Sequence, residues 1–312
     1  MTPTVSVIIT VYKRTQYIQQ AIQSVLNQTY QDFEIIITDD SNSQQIKAIC
    51  NAFTSEKLRY RANEINIGVA LNVKIAMQES KGKFIAILND DDAWEFSFLE
   101  KLVAPLELDD NLVLAFSNHW IIDENGVKNS VDSDRNSDQF GRNGLPEGKL
   151  DHLENFVLLK NGIPLAMAAV FRKDAIDLNF IFQEVSGAYD FWISCLLAST
   201  KRPAYFIPEK LTQYRVHNDM ETVRKAPNKN ENLVYIYSRL IDLNLFPEKQ
   251  AYFKIKYSQM LRHVGIDNMV FGHTKIARSY FVNSFKCMYS LKTVLIWLIS
   301  FLPNSVIKII NK

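Results

Sequence analysis

Apolar runs alternate with segments of helical periodicity along the N-terminal third of the chain. The apolar runs cover residues 5–12, 33–40 and 84–88, and a shorter strand-like segment covers residues 58–62. Apolar runs without a polar residue at every second position are typical of strands buried on both faces of a parallel sheet. Between them, apolar residues recur every three or four positions, which predicts helices. This alternation predicts an α/β fold with a doubly wound, mostly parallel sheet and right-handed crossovers.

The pattern changes after a further apolar run at residues 112–123. The sequence DENG at residues 123–126 predicts a hairpin turn. The polar, glycine-bearing residues 130–149 predict a mobile loop that could act as a lid. The other elements predicted for this part are a helix, a strand, a helix and two strands, at residues 151–161, 165–171, 189–199, 204–209 and 211–217. Residues 224–232 predict a polar linker, and only helices are predicted beyond it.

We therefore divide the sequence into three parts. Residues 1–120 form one half and residues 121–223 the other half of a single α/β domain, and residues 224–312 form a C-terminal helical region. A chain of 312 residues is long enough for one large domain or two modest ones.

The charges of the chain nearly cancel, with 35 Lys and Arg residues against 34 Asp and Glu residues. Such a balance lacks the positive field of nucleic-acid-binding proteins, so no nucleic-acid partner is expected. The three cysteines, Cys50, Cys195 and Cys287, are isolated and indicate neither a disulfide framework nor a zinc site, which favours a reducing compartment. The N-terminus predicts a strand and not a signal peptide. We therefore expect a cytoplasmic protein.

Acidic residues follow two of the predicted strands. Asp39 and Asp40 end the second strand, and Asp90, Asp91 and Asp92 follow the fourth. In open parallel sheets, ligands bind beyond the carboxyl ends of the strands. Carboxylates gathered there repel one another, and Mn²⁺ or Mg²⁺ bound together with phosphate oxygens would supply the counter-charge. The alternative is that each acidic cluster is a solvated strand end or a helix cap. No glycine-rich phosphate-binding loop occurs in the sequence.

Five segments of the sequence together resemble a known family. They are VSVIITVYKR, FEIIITDDSNS, NEINIGVALNVKIAMQESKGKFIAILNDDDAW, YDFWISCLLAS and LTQYRVHND, in this order between residues 5 and 219. Their order and spacing resemble the family 2 glycosyltransferases of the GT-A fold. The resemblance implies a Rossmann-like, mostly parallel twisted sheet with flanking helices, and transfer of a sugar from a nucleotide-sugar donor with inversion at the anomeric carbon.

The resemblance also implies which residues bind the donor. The acid after the second strand would bind the base, the residues that end the first strand would flank the base and ribose, and the acidic motif after the fourth strand would bind the ribose and a metal ion. The residues implied for the nucleotide are Thr10, Val11, Tyr12, Arg14, Asp39, Asp40, Asn72 and Asp90. For Mn²⁺ or Mg²⁺, the resemblance implies Asp91 as the main ligand with Asp92 beside it, and His217 near the metal or the diphosphate. The alternative for His217 is a structural histidine. Asn89 stands where many members carry the first acid of the motif.

An inverting transfer needs a carboxylate that takes the proton of the acceptor hydroxyl. In the family this base lies at the start of a helix, and here the corresponding stretch is SGAYDFW. Gly187 and Ala188 replace the usual acidic pair, so the resemblance leaves Asp190 as the base and Glu184 as the reserve candidate. The alternative is that Asp190 only stabilises the first turn of the helix through the helix dipole.

The C-terminal segment at residues 286–312 contains the apolar run VLIWLISFL bordered by lysines. This pattern is typical of a helix that lies in the membrane interface, and the run is too short to span a bilayer. A helix that caps the domain or packs in a dimer is the alternative. We expect peripheral contact with the inner face of the plasma membrane.

These observations predict a metal-dependent glycosyltransferase that extends a surface glycan such as lipopolysaccharide or capsule. The donor would be a nucleotide sugar, with UDP favoured over dTDP or GDP, and the acceptor a saccharide or lipid-linked saccharide. The alternatives are a nucleotidyltransferase, which also places acids around Mg²⁺, and a nucleotide-sugar-binding module without catalysis. A regulatory receiver domain would leave the residues after 120 unexplained.

Overall fold

The computed structural model describes residues 2–217 and 230–302. The chain separates into two compact units, Met1–Asn218 and Asp219–Lys312. The division of the first unit at residue 120 stays a prediction.

The first unit contains ten strands and eight α-helices in the described residues. The strands are β1 (Val5–Val11), β2 (Phe33–Asp39), β3 (Leu58–Ala62), β4 (Phe84–Asn89), β5 (Ala93–Trp94), β6 (Leu114–Ile122), β7 (Lys128–Asn129), β8 (Gly148–Leu150), β9 (Ala169–Arg172) and β10 (Ala204–Arg215). The helices are α1 (Ile18–Leu26), α2 (Gln44–Asn51), α3 (Val69–Glu79), α4 (Phe98–Leu108), α5 (Ser130–Gln139), α6 (Leu153–Asn155), α7 (Leu165–Ala168) and α8 (Tyr189–Ser199). A π-helical turn covers Phe156–Lys160, and short 3₁₀ turns cover Lys173–Ala175, Leu178–Phe180 and Gln183–Ala188.

The strands form one sheet in the order β3–β2–β1–β4–β9–β6–β10–β5, with β7 paired to β6 and β8 paired to β10. The pairs β1–β2, β1–β4 and β2–β3 are parallel, whereas β9 lies between β4 and β6 and runs antiparallel to both. The register places Thr10 of β1 beside Asn89 of β4 and Thr38 of β2. The carboxyl ends of these three strands therefore meet at one edge of the sheet, which confirms the predicted α/β arrangement.

The core forms where the apolar faces of the helices meet the sheet. All seven residues of β1 are buried. Helix α1 buries Ile18, Ala21, Ile22 and Val25, whose spacing of three and four residues puts them on one face. This face belongs to the same apolar cluster as residues of α2, α4 and the central strands. The predicted hairpin is also present, since β6 pairs with β7 and Gly126 takes the left-handed conformation that the turn needs.

The prediction of a mobile loop at residues 130–149 is wrong for its first half, which forms helix α5. The buried residues of α5 are Ser133 and Ser137, which are polar. The Ser133 hydroxyl accepts a hydrogen bond from Ile121 N at 2.8 Å, and the Ser137 hydroxyl donates to Asn118 Oδ1 at 3.1 Å. The helix thus packs on β6 through hydroxyl groups, so its sequence carries no apolar periodicity that could reveal it.

Two strand predictions in the second half of the unit are also partly wrong. Residues 165–168 form helix α7, and only the end of the predicted strand becomes β9. The two strands predicted at 204–209 and 211–217 are one strand, β10, whose register against β6 shifts between Ile207 and Thr212. Pro208 lies at this irregularity, which explains why the sequence indicated a break.

Gly82, which precedes β4, is required by the close approach of two chain segments. A Cβ atom at this position would lie 2.5 Å from Ser6 N and 2.7 Å from the carbonyl carbon of Val5, both of which are backbone atoms. We expect Gly82→Ala to lower the free energy of unfolding by about 2 kcal/mol through overpacking. Urea denaturation measures the change. Gly187→Ala is the control, because nothing lies within 4 Å of its added Cβ, and an equal loss in both variants would contradict the packing argument.

The second unit is helical in its described part. Its helices are α9 (Glu231–Asp242), α10 (Gln250–Val270), α11 (Thr274–Cys287) and α12 (Leu291–Ile299), with a 3₁₀ turn at Pro247–Lys249. Helix α10 packs against both α9 and α11, and α11 packs against α12. Within residues 2–217 and 230–302, no helix has the length and apolar character needed to cross a membrane. Most of the predicted linker and residues 303–312 of the predicted interface segment lie outside the described residues.

Candidate functional site at the carboxyl edge of the sheet

Three aspartates, Asp90, Asp91 and Asp92, follow β4 at the carboxyl edge, and we call them the acidic rim. Arg14, in the loop after β1, supplies the positive charge between two of them. Its Nη1 donates to Asp90 Oδ1 at 3.2 Å and also to Asp91 Oδ2. The counter-charge that the sequence required is therefore present within the chain itself.

His217, which follows β10, reaches the same carboxylate. Its Nε2 lies 3.1 Å from Asp91 Oδ2, and its side chain is only 5% exposed. The His217 ring also packs against Tyr17, with the ring centroids 5.4 Å apart. The tertiary structure thus brings together Asp91 and His217, two predicted metal ligands that are 126 residues apart in the sequence.

Asp92, the third predicted ligand, points into the protein. Its Oδ1 accepts a hydrogen bond from Arg215 N at 3.0 Å and its Oδ2 accepts from Asn89 Nδ2 at 3.1 Å. Asp92 is 1% exposed. Its described contacts therefore tie the rim to the end of β10, and its role as a metal ligand stays a prediction.

Arg215 positions the rim from the other side. The guanidinium Nε donates to Asp91 O at 2.9 Å, and Nη2 donates to Gln20 Oε1 at 2.6 Å. The same group stacks on the Tyr17 ring at 4.3 Å. Arg215 is fully buried, so it holds the rim loop against α1 and β10.

Burial and mutual repulsion govern the ionisation of the rim. Burial raises the pKa of Asp90 to about 8, while the Arg14 charge acts in the opposite direction. Burial, and next the charge of Asp91, raise the pKa of Asp92 well above its usual range. Burial alone would lower the pKa of Arg14, but the neighbouring Asp90 and Asp91 charges raise it. The site therefore favours bound positive charge, because a further cation would relieve the repulsion between its carboxylates.

The two aspartates at the end of β2 accept many hydrogen bonds. Asp39 Oδ1 accepts from Ser41 N and Oγ, and its Oδ2 accepts from Ser43 N and the Tyr60 hydroxyl, at 2.6–2.9 Å. Asp40 Oδ1 accepts from Asn63 Nδ2 and Ile67 N, and its Oδ2 accepts from Gly68 N, at 2.8–3.0 Å. Both side chains therefore shape the loops around the carboxyl edge, and their contact with a nucleotide stays a prediction.

Asn72 is buried within a polar network between β2 and α3. Its Oδ1 accepts from the Thr38 hydroxyl at 2.6 Å and from Asn63 Nδ2 at 2.8 Å, and its Nδ2 donates to Thr38 O at 2.9 Å. Arg61 donates to the same Thr38 hydroxyl and to Asn63. In this arrangement Asn72 fixes α3 to the sheet. Asn63 and Arg61 were missed, since neither forms a recognisable motif.

The end of β1 provides the residues predicted to flank the nucleotide. Thr10 and Val11 are buried, and Tyr12 is 45% exposed. Lys13, the next residue, takes a left-handed conformation with φ of 61°, and its N–H donates to the Ser41 hydroxyl at 3.1 Å. This turn directs the chain so that Arg14 reaches the acidic rim.

Asp190 lies in the first turn of α8, where its Oδ1 accepts a hydrogen bond from Phe191 N at 2.8 Å. Burial raises the pKa of Asp190. The reserve candidate, Glu184, is exposed on the preceding 3₁₀ turn. Asp190 is only partly exposed and its pKa is raised, which suits a general base, whereas Glu184 is exposed, so their surroundings distinguish the two candidates.

Tyr189, which directly precedes Asp190, was missed by the sequence reasoning. Its side chain is 5% exposed. Burial raises the pKa of its hydroxyl, and the charges of Asp190, Asp92 and Asp91 act in the same direction, whereas Thr10 acts against them. The hydroxyl therefore lies within electrostatic reach of the end of β1, the rim and the candidate base. In the sequence, only its position next to Asp190 could have indicated that Tyr189 belongs to the site.

The fit of a divalent metal depends on Asp91 and His217. In residues 2–217 and 230–302, no three His, Cys, Asp or Glu side chains are arranged together as a metal-binding group. Asp91 Oδ2 and His217 Nε2 lie side by side, however, 3.1 Å apart. Mg²⁺ and Mn²⁺ bind with one or two protein ligands when phosphate oxygens and water complete the coordination shell. The residues present therefore suit a metal ion that arrives together with a diphosphate.

Comparison with known proteins places this arrangement in a family. The family model for Glycosyl transferase family 2 matches residues 6–177. The chain is 28% identical over 255 residues, or 80% of its length, to an uncharacterized glycosyltransferase of Rickettsia bellii, and it spans about a third (34%) of that longer protein. It is 22% identical over 325 residues to the GalNAc(5)-diNAcBac-PP-undecaprenol beta-1,3-glucosyltransferase of Campylobacter jejuni, covering 99% of this chain and 97% of the relative.

Solved structures share the fold. S. aureus TarS 1-349 in complex with UDP-GlcNAc matches with a TM-score of 0.62 at 16% identity, over 95% of this chain and 79% of TarS. GalNAc-T7 with UDP, GalNAc and Mn²⁺ matches with a TM-score of 0.53 at 14% identity, over 78% of this chain and 51% of GalNAc-T7. These likenesses confirm the predicted GT-A fold with its C-terminal helical region.

Proposed function

Because the chain belongs to glycosyl transferase family 2, we propose that it transfers a sugar from a UDP-sugar to a lipid-linked saccharide, with inversion and with a divalent metal. The observation that carries the proposal is the convergence of Arg14, Asp91 and His217 at the edge where β1, β2 and β4 end. A positive group and two metal-ligand atoms at the carboxyl edge of a parallel sheet suit a diphosphate.

The donor nucleotide would lie along this edge. We assign its base and ribose to Thr10, Val11, Tyr12 and the Asp39–Asp40 pair, with Asn72 supporting them from α3. Arg14 and Asp90 would contact the ribose and diphosphate. The TarS structure with UDP-GlcNAc and the GalNAc-T7 structure with UDP support a uridine nucleotide in this fold.

Asp91 and His217 would hold Mn²⁺ or Mg²⁺, and Asp92 would support them through its bonds to β10. When bound, the metal would neutralise charge on the leaving diphosphate. Mn²⁺ in the GalNAc-T7 structure supports this choice of ion. The chain's own contribution is Arg14, whose guanidinium lies beside the same carboxylates and would stabilise the diphosphate as it leaves.

Asp190 would act as the general base. It would take the proton of the acceptor hydroxyl while that oxygen forms a bond to the anomeric carbon. The bond between that carbon and the diphosphate oxygen breaks, and the nucleoside diphosphate leaves on the opposite face with the bonding electrons. Attack opposite the leaving group inverts the anomeric centre.

The acceptor assignment rests on the Campylobacter relative, whose name specifies an undecaprenol-linked saccharide and which the chain matches along nearly its whole length. With such an acceptor the enzyme would act at the cytoplasmic face of the plasma membrane, in the synthesis of a surface polysaccharide such as lipopolysaccharide or capsule.

A thermal-shift panel of UDP, dTDP and GDP, each with and without Mn²⁺, tests the proposal. A ligand that binds only the folded state stabilises it, by about 2.7 kcal/mol at a concentration one hundred times Kd. We expect a rise in Tm with UDP that grows when Mn²⁺ is present. A panel without any shift would refute the donor site, and an equal UDP shift without metal would refute the metal requirement.

A further inference from the structure

The C-terminal part of the second unit carries basic residues and no acidic ones. No Asp or Glu occurs among residues 268–312, although the chain contains 34 of them. The same segment contains six of the 35 basic residues, at positions 275, 278, 286, 292, 308 and 312. A chain of nearly zero net charge thus concentrates positive charge at its C-terminal end.

Helix α12 in this segment carries two apolar faces. One face packs in the protein, where Ile296 and Trp297 contact the cluster of Met269, Ala277 and Phe281. The other face is a stripe of four leucines that we call the leucine stripe. Its members are Leu291, Leu295, Leu298 and Leu302, which are 67%, 60%, 52% and 42% exposed. The spacing of Leu291, Leu295 and Leu298 places these three on one side of α12, and Leu302 follows in the turn after the helix ends at Ile299.

The leucine stripe is held rigidly on α11. Arg278 Nη2 donates to Ser300 O at 2.7 Å, and its guanidinium stacks on the Phe301 ring at 4.0 Å. Ser290 caps the start of α12 by accepting a hydrogen bond from Thr293 N. A fixed row of exposed leucines differs from scattered apolar surface residues, because a contiguous apolar surface marks a binding site.

We propose that the leucine stripe, together with the exposed Lys292 on the same helix and the exposed Lys286 near the end of α11, forms a docking surface for an anionic lipid bilayer. Apolar side chains would enter the headgroup region while the lysines contact lipid phosphates. A symmetric dimer is disfavoured as the occupant, because it would place the same uncompensated positive charges of two copies together. The inference goes beyond the proposed chemistry and does not depend on the donor or on the base.

Co-sedimentation of the full chain with vesicles tests the surface. The probes are phosphatidylcholine vesicles and vesicles of 70% phosphatidylcholine with 30% phosphatidylglycerol. We expect binding to the anionic vesicles that weakens with added salt. The double variant Leu295→Gln/Leu298→Gln should lose about tenfold or more in partitioning, because two apolar side chains no longer enter the lipid. Leu108→Gln, at an 88% exposed leucine of α4, should bind as the wild type does.

Far-UV circular dichroism and Tm establish that the double variant is folded, which its exposed positions favour. Unchanged binding of the folded double variant, or failure of the wild type to bind anionic vesicles, would overturn the inference. A wild-type dimer in light scattering that the double variant abolishes would overturn it too, by assigning the stripe to a second copy. Transfer to a water-soluble acceptor, measured without vesicles, reports the proposed function separately.

Discussion

Replacement of Asp190 by asparagine is expected to lower kcat for sugar transfer by about 10³-fold while UDP binding stays within twofold of the wild type. General-base catalysis typically contributes 10²- to 10⁴-fold, and an amide cannot take the acceptor proton. The asparagine Oδ1 can still accept the hydrogen bond from Phe191 N, so the start of α8 is kept. Steady-state kinetics and calorimetric titration with UDP measure the two quantities.

The pH dependence of the wild type gives a second readout of Asp190. Because burial raises the pKa of this carboxyl, kcat/KM should fall on acidification at a higher pH than an ordinary aspartate with pKa about 3.9 would cause. The raised pKa also means that ionising Asp190 costs stability as the pH rises above that ordinary value. The Tm of Asp190→Asn relative to the wild type should therefore increase as the pH rises above about 4.

Glu184→Gln is the matched control, since it makes the same chemical change at the exposed reserve candidate. It should keep nearly full rate. If Glu184→Gln is inactive and Asp190→Asn is active, the base is Glu184. A wild-type protein that binds UDP and never turns over any sugar nucleotide would favour the binding module instead.

Asp91→Asn should remove the effect of Mn²⁺ on UDP affinity and lower transfer by about 100-fold or more, since even residues behind a metal ligand contribute 10- to 100-fold. Asp91 Oδ2 is the atom that both Arg14 and His217 approach, so no other rim oxygen in the described residues has the same contacts. Electron paramagnetic resonance of Mn²⁺ in the presence of UDP measures the bound metal directly. His217→Ala should weaken the binding of Mn²⁺ in the same assay.

Asp92→Asn separates metal binding from loop structure. The Asp92 carboxylate accepts hydrogen bonds from Arg215 N and Asn89 Nδ2, so this variant should lower Tm more than Asp91→Asn does. Unaltered Mn²⁺ binding by Asp91→Asn, together with loss of Mn²⁺ by Asp92→Asn, would reverse the assignment of the main ligand.

Much of the first half of the fold could be predicted from the sequence, because β1, β2 and β4 are buried on both faces and need continuous apolar runs. The position of the acidic residues at the carboxyl ends of β2 and β4 could be predicted for the same reason, since a charge that interrupts such a run marks the end of a strand. Helix α5 could not be predicted, because its buried positions are serines that bond to β6.

The partners of the acidic residues were beyond prediction. Arg14 lies in the loop before α1, four residues ahead of Ile18, the first residue of that helix. Nothing in the sequence around it indicates a salt bridge to residues 76 and 77 positions away. His217 and Arg215 meet the rim only because β10 lies beside β5 and β6 in the sheet.

The sequence alone therefore determined the α/β class, the chemistry gathered at the carboxyl edge and the apolar, basic character of the C-terminal segment. These features follow from local patterns of burial and charge, which each segment carries by itself. Only the tertiary structure decided that Arg14 supplies the rim's counter-charge and that Asp91 faces His217 while Asp92 turns inward. It also decided that the leucine stripe of α12 and the turn after it is left exposed. Those outcomes depend on which strands become neighbours and which helix face is covered, and such pairings between distant segments leave no periodic signal in the sequence.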